Sequence, residues 1–588
     1  MDEVKIGIEI HQRLDTGKLF CRCKTGEEET LDLPFFYREL RALTSETGEL
    51  DIAALLQQEK GQGFYYFKSK GHSCLVELDE EPPNAINENA LLCALNVANQ
   101  LSMEIPDAII FMRKIIIDGS NTSGFQRTAL AGIEGKIKVM GTNKEIGIQT
   151  LSLEEESAGI ISQNQFNLSR LGIPLLEIST KPDISNGKEA REVAETIGIM
   201  LRTLSYTARG IGTIRQDLNV SVKGGARVEL KGAQELNMIE KWINNEIKRQ
   251  KDLINLLNDL KNLNIENLRY KQEVDVKSLF LAHKDELVSF LKNAVNESYV
   301  YALKLDGHKG ILSREIGLRR YGSEIADYAR AAGLGGIIHS DENLEKYGIS
   351  KSLEKDIREM LNCKDQDAFI ICAGNKEKVK KAFDFIRRRA SMNKVPEETR
   401  KVMPDGSSVF LRPLPGKARM YPETDVPYIF ITKELVKKAI DIAEPYYKKL
   451  ERLEKMLNKE LAYKILKGRN LQLFESLCNE INPVVLAVTL EDTLIKIRRE
   501  NNIEPKEESI KRALMLYKND KITKKAIEKA ILMFEKGYDE EQILKEIGKI
   551  SKEELIKIVK ELKDKEKIIK HYNLRIDIEE LNEIMKNL

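Results

Sequence analysis

Near the N-terminus, Ile6, Ile8 and Ile10 alternate with Gly7, Glu9 and His11. Successive side chains of a strand point to opposite faces, so this run reads as a half-buried strand. Three isoleucines face a core, while a carboxylate and an imidazole share the other side. Residues 111–117, 174–179 and 227–230 also read as strands, the first closed by the turn-rich stretch 118–124. Helical spacing runs through 188–204 and 235–260. The single tryptophan, Trp242, lies in the second of these and reads as a core anchor rather than a base-stacking residue.

With 588 residues the chain holds about four domains at roughly 150 residues each. Residues 1–270 mix strands with a few helices, and 271–395 read as a separate βα unit with turn signals such as Gly333-Leu334-Gly335-Gly336. A Pro/Gly-rich stretch, Arg412-Pro413-Leu414-Pro415-Gly416, follows and leads to Tyr421-Pro422-Glu423-Thr424-Asp425. From about residue 433 the chain is helical and rich in Lys, Glu and Leu, with a break at Pro505 and a small bundle over 506–588. Basic residues number 94 and acidic residues 93, so any contact with nucleic acid rests on local patches rather than net charge. No apolar run approaches the ~18 residues of a bilayer span, and the N-terminal residues lack a signal-peptide core. A cytoplasmic protein without membrane attachment is expected. Seven scattered cysteines are too few for a disulfide framework.

The chemistry lies in carboxylates placed among apolar neighbours. Glu9 and His11 point the same way from one strand, Glu154, Glu155 and Glu156 follow Leu151 and Leu153, Glu177 sits within Pro174-Leu175-Leu176-Glu177-Ile178, and Glu229 within Val228-Glu229-Leu230. Such carboxylates need a cation, a metal or hydrogen bonds. Oxygen-rich clusters with one imidazole suit Mg²⁺ or Mn²⁺ and phosphoryl chemistry. The alternative is that each alternates outward from a half-buried strand and pairs with a nearby Lys or Arg. Both readings stand at this point.

Several long motifs occur in a fixed order: Ile6-Gly7-Ile8-Glu9-Ile10-His11 followed by Phe20-Cys21-Arg22-Cys23, then Leu151 through Glu156, Ser169 through Ile178, Thr213 through Ser221, and Arg227-Val228-Glu229-Leu230-Lys231. Together they resemble the B and E subunits of tRNA-dependent amidotransferases. The resemblance implies an α+β multidomain fold. Its parts are a cradle-like, β-rich catalytic domain over 1–270 completed by 396–432, an aspartyl-tRNA-synthetase-like α/β insertion over 271–395, a helical domain over 433–505 and a tRNA-binding tail over 506–588. It implies ATP-dependent phosphorylation of the γ-carboxylate of glutamate carried on tRNA(Gln), then displacement of the phosphate by ammonia. ATP and Mg²⁺ are the implied cofactors. Position by position, His11, Glu155 and Glu177 would hold one Mg²⁺, and Glu9, Glu154 and Glu229 would surround a second position. Adjacent residues 154 and 155 point to opposite faces of a regular strand, so a bulge or turn is expected there.

The insertion-like stretch, Gly317 through Ala329 and Ile337 through Glu342, points to the archaeal E branch. Within it, His339 and Asp341 read as structural, while Arg319 and Arg320 are modest candidates for phosphate contact. Lys511, Arg512, Lys518 and Lys521 offer a basic surface on the tail, which a solvated helix face explains equally well. B subunits bind zinc through two cysteine pairs. Here Cys74 and Cys93 are far in sequence from Cys21 and Cys23 and form no Cys-x-x-Cys, so ordinary buried thiols are expected. No P-loop, no synthetase His-Ile-Gly-His, no Ser-Ser-Lys amidase stretch and no asparaginase threonine motif is present. The ATP site is therefore not of the P-loop kind, and ammonia must come from a partner. The resemblance names that partner as an asparaginase-like D subunit in a hetero-oligomer, with tRNA(Gln) charged with glutamate as substrate. Three other readings remain: a B-like subunit acting on Asp- and Glu-tRNA, a noncatalytic tRNA-binding scaffold, and a metal-dependent nuclease.

Overall fold

A computed structural model describes residues 3–587 except 27–33, 59–60, 69–70, 205, 211, 262, 264, 298, 415 and 417–418. Pro415 of the expected linker and Met1 and Asp2 of the N-terminal run thus lie outside the described residues. The chain divides into two compact units, Met1–Ala443 and Glu444–Leu588.

The first unit is built on a ten-stranded sheet. Its strands are β1 (Val4–Arg13), β2 (Phe111–Ile115), β3 (Phe125–Lys138), β4 (Glu145–Glu155), β5 (Pro174–Thr180), β6 (Ile214–Val222), β7 (Val228–Lys231), β8 (Glu398–Val402), β9 (Ser408–Pro413) and β10 (Met420–Pro422). Their spatial order is β9-β8-β7-β6-β1-β5-β4-β3-β2-β10. The alternating strand at the N-terminus thus lies in the middle of the sheet, antiparallel to β5 and β6.

One face is apolar. Ile6, Ile8 and Ile10 are at most 1% exposed, and Leu151, Leu153, Leu176, Ile178, Leu218 and Val220 are buried beside them. Burying side chains of this size contributes roughly 1.5–3 kcal/mol each. Helices Gly187–Arg202 and Leu236–Leu260 pack on β1 and β6, and Glu88–Gln100 packs on β3 and β4. The first of these starts where Asn186 accepts a hydrogen bond from the Glu189 amide. Its first residue, Gly187, lets the two long helices approach, since a Cβ there would lie 2.8 Å from the Glu240 Cα.

Trp242 is 5% exposed and donates its indole N–H to the Met403 carbonyl at 2.9 Å, which fits a core anchor. Trp242→Ala removes both the packing and that bond. It is expected to cost about 3–5 kcal/mol, measured as a lower urea midpoint with an unchanged slope.

The edges of the sheet are joined by a short link. Ten flat strands would set them about 43 Å apart. The seven residue steps from Pro413 on β9 to Met420 on β10 reach at most about 25 Å. The sheet must therefore curl, bringing its first and last strands toward each other around the face opposite the helices.

Residues 271–395 carry their own four-stranded sheet, with Tyr299–Leu305 and Ala368–Gly374 at its centre. One side of it shares a core with Leu253, Leu256, Leu257 and Leu260 of the long helix. A buried charge network fixes the junction. Arg249 bonds Glu246, Glu324 and Glu398, while Arg400 bonds Glu324 and Glu398. Such a network is costly to break one partner at a time.

The second unit is helical throughout its regular structure, from Tyr446–Met456 to Ile578–Asn587. The chain leaves helix after Leu494–Asn501 and re-enters it at Glu507–Lys518, around Pro505. Contacts nonetheless cross that point: Lys496 pairs with Glu528 at 2.9 Å and Lys518 with Glu480 at 2.5 Å. Most of the basic residues expected to form a tail surface have local partners. Lys511 pairs with Glu507 and Lys521 with Glu540, both at 2.6 Å, and the Arg512 guanidinium lies 4.1 Å from the Phe534 ring centre. No helix among the described residues is long and apolar enough to cross a membrane.

Candidate active site

The face of the curled sheet opposite the helices borders a cavity of about 910 Å³. Strand register decides which ionisable groups meet there. His11 lies directly across from Glu177 on β5, and Glu9 across from Asp217 on β6. On β4, Glu154 shares this face because it is two residues from Ser152, the cross-strand partner of Glu177. Glu229 on β7 joins through Asn219, two residues from Asp217.

Two donor groups result, sharing His11. One consists of His11, Glu154 and Glu177, the other of Glu9, His11 and Asp217, and within each the ligand atoms lie within 4.8 Å of one another. The His11 Nε2 is 3.2 Å from Glu177 Oε2 and 3.4 Å from Glu9 Oε1. Two lysines offset part of the charge. Lys114 on β2 reaches Glu154 at 3.0 Å and Glu177 at 3.4 Å, and Lys231 on β7 reaches Asp217 at 2.8 Å and Glu229 at 2.9 Å. Thr128 donates to Glu154 at 2.7 Å and Thr399 to Glu229 at 2.8 Å.

The electrostatics follow from this crowding. Burial, with Glu177 nearby, pushes the Glu9 carboxyl up to about 7. Burial would also raise Glu177, but the Lys114 ammonium and the hydrogen bond from His11 outweigh it and hold Glu177 well below the usual range. His11 is raised: burial opposes its charged form, and Glu177 more than compensates. Glu229 is lowered, because Lys231 overcomes the burial that would raise it. A cluster that holds one carboxyl up and another down in this way still has more negative charge than its lysines balance. A cation fits it, and the donor set of carboxylates with one imidazole is that of a hard divalent ion.

Glu155 does not belong to this group. It points through the sheet, where its Oε2 lies 3.3 Å from Arg127 Nη1, and burial raises its pKa against that arginine. Of the expected set His11, Glu155 and Glu177, the structure brings His11 and Glu177 together with Glu154 in place of Glu155. The reason is plain alternation. Glu154 and Glu155 pair regularly with Leu175 and Pro174, and the nearest irregularity on the facing strand β3 is at Leu130/Gly132. No bulge turns Glu155 toward the cavity. Glu156 is almost fully buried and collects Arg13 at 2.5 Å, Arg215 at 2.9 Å and Arg170. Asp217, Lys114 and Lys231 were not singled out from the sequence. The signal for Asp217 was its even spacing from Arg215 and Asn219 on a strand, which has meaning only once β6 is known to flank β1. Arg319, expected near phosphate, is instead bound to Asp327 and to the Ser408 carbonyl. Asp341 accepts the Leu312 amide at 2.9 Å.

The cysteines also need correction. Cys74 is brought beside Cys21 and Cys23, with Glu77 as a fourth group, and their ligand atoms lie within 4.8 Å of one another. Cys93 is buried in helix Glu88–Gln100. Distance along the chain was a poor guide, because the turn carrying Cys74 and Glu77 folds back on residues 21–23. Three thiols and a carboxylate fit tetrahedral zinc in kind and number. Lys18, whose Nζ is 3.3 Å from Glu77 Oε1, competes for the carboxylate.

The site is an acid-lined cleft on a curled sheet, served from strands far apart in sequence, and the sequence carries no P-loop motif. The family model for the GatB/GatE catalytic domain matches residues 4–437, and the chain belongs to that family. Among curated relatives, the E subunit of glutamyl-tRNA(Gln) amidotransferase from Methanocaldococcus jannaschii is 42% identical over 579 residues, covering 95% of this chain and 91% of the relative. The relative of the same name from Archaeoglobus fulgidus is 42% identical over 541 residues, with 90% and 86% covered. That from Sulfolobus acidocaldarius is 41% identical over 595 residues, with 96% and 92% covered.

Proposed function

We propose that this chain, an amidotransferase by family, activates the γ-carboxylate of glutamate on tRNA(Gln) with ATP and converts it to the amide with ammonia from a partner. The observation that carries this reading is the convergence of Glu9, His11, Glu154, Glu177, Asp217 and Glu229 on one wall of the cavity. A carboxylate resists attack by ammonia until it carries a leaving group, so an acyl phosphate is the natural intermediate. In this reading His11, Glu154 and Glu177 hold one Mg²⁺, and Glu9 and Asp217, with Glu229 close by, hold a second. Bound there, the ions supply charge neutralisation for phosphoryl transfer. Lys114 and Lys231 keep the carboxylates spaced and ionised. The curled sheet shields the acyl phosphate from water.

The insertion over 271–395 is read as the aspartyl-tRNA-synthetase-like module of the E branch, and the helical C-terminal unit as the part that reaches the outer tRNA. The ammonia source is read as an asparaginase-like D subunit in a cytoplasmic hetero-oligomer. The names of the relatives support the substrate, and the cation-demanding cluster supports the phosphoryl step. The test is ATP hydrolysis by the purified chain with Mg²⁺. ADP should accumulate when Glu-tRNA(Gln) is supplied and stay at background with uncharged tRNA. Intact tRNA binding with no ATP consumption would leave a scaffold instead.

A further inference from the structure

The cavity wall facing the acidic cluster carries two arginines from opposite edges of the sheet. Arg412 is on β9, where its backbone partner is Thr399 on β8. Arg419 immediately precedes β10 and is pinned to β2: its backbone carbonyl accepts the Ile115 N–H at 2.8 Å, and its Nε donates to the Ile115 carbonyl at 3.3 Å. The curl that joins β9 to β10 brings both side chains to the same cavity.

Three of the other cations there are bonded to carboxylates. Lys114 and Lys231 bond carboxylates of the cluster, and Arg215 bonds Glu156. Among the described residues Arg412 and Arg419 form no ion pair, yet they lie close enough to repel each other, and burial together with that repulsion lowers the Arg419 pKa against the opposing pull of Asp51, Glu229 and Glu154. Their charges also reach Glu229. Two like charges set side by side in a partly desolvated wall, neither bonded to a carboxylate and with the terminal nitrogens of Arg419 free, favour an anion that joins them.

We propose that Arg412 and Arg419 form the polyphosphate grip of this cavity, holding the phosphate chain of a nucleoside triphosphate against the carboxylate wall. The guanidinium groups bind non-bridging phosphate oxygens from one side, and the cation cluster meets them from the other. The assignment deepens the ATP-dependent reading above and rests on it for the identity of the nucleotide, but the anion subsite stands on the arginines alone.

The experiment compares the wild-type chain with R412M, R419M, the double methionine variant and the double lysine variant. The probes are Mg²⁺ with inorganic tripolyphosphate and Mg²⁺ with ATP, read by calorimetry, with tRNA binding measured separately. Each single methionine change should weaken tripolyphosphate and ATP binding by about tenfold and the double change by about a hundredfold, with tRNA affinity held within about twofold. The double lysine variant should recover part of the loss, which a mere folding defect would not allow. Unchanged tripolyphosphate affinity in a folded double methionine variant overturns the subsite. So does a loss confined to tRNA binding, which would assign the arginines to the RNA backbone. Arginine-dependent tripolyphosphate binding in a chain that never consumes ATP supports the subsite and defeats the functional reading instead.

Discussion

Glu177→Gln should lower Mg²⁺-dependent amidation by about 10²-fold or more while leaving tRNA affinity nearly unchanged. The substitution keeps the shape of the side chain but removes the charge that Lys114 and His11 hold in place. Glu154→Gln should behave alike, since Glu154 shares the same donor group. Glu155→Gln is the discriminating control. Its carboxylate meets Arg127 on the other side of the sheet, so its loss should appear first as a lower melting temperature, with turnover per folded molecule largely kept. Single-turnover amidation with saturating Glu-tRNA(Gln), alongside thermal unfolding, separates the two. Equal losses of turnover for Glu154 and Glu155, with equal stability, would mean that the strand register does not define the site.

The second large effect concerns the division of labour. With ammonium salt and ATP, the purified chain should convert Glu-tRNA(Gln) to Gln-tRNA(Gln). With asparagine or glutamine as nitrogen donor it should give only background product until a partner protein is added, a difference between essentially none and full turnover. The expectation follows from the sequence, which carries neither an amidase Ser-Ser-Lys arrangement nor an asparaginase threonine motif, and from the proposal that the acidic cavity is where the carboxylate is activated. The measurement is the identity of the amino acid released from tRNA after each incubation. Amidation from asparagine without a partner would require an ammonia-generating site elsewhere in the chain. No product even from ammonium, with tRNA bound, would remove the activating role.

Much of the acidic face is legible in the sequence. The alternation in residues 6–11 announced a strand with an apolar and a reactive side, and β1 has both. Apolar flanks around Glu177 and Glu229 marked carboxylates that need partners, and each has a lysine within 3.4 Å. Trp242 in a long amphipathic helix announced a core anchor. These are local properties: the two-residue period of a strand and the 3.6-residue period of a helix are imposed by the backbone wherever the segment ends up.

What the sequence could not settle was every choice between faces and neighbours. Its own alternation shows that Glu154 and Glu155 look opposite ways, yet which of them meets His11 depends on pairing with β5, a strand further along the chain, and a one-residue slip would exchange them. Asp217 became part of the cluster because β6 flanks β1. Cys74 joined Cys21 and Cys23 because a loop returns to them. Arg412 and Arg419 face one cavity because a ten-stranded sheet curls until its edges can be linked by a few residues. The sequence by itself determined which side chains are polar on a buried framework and what chemistry they can perform. Tertiary structure alone decided which of them stand together, because that depends on strand register and sheet curvature, which are set by the packing of the whole unit and written in no single segment.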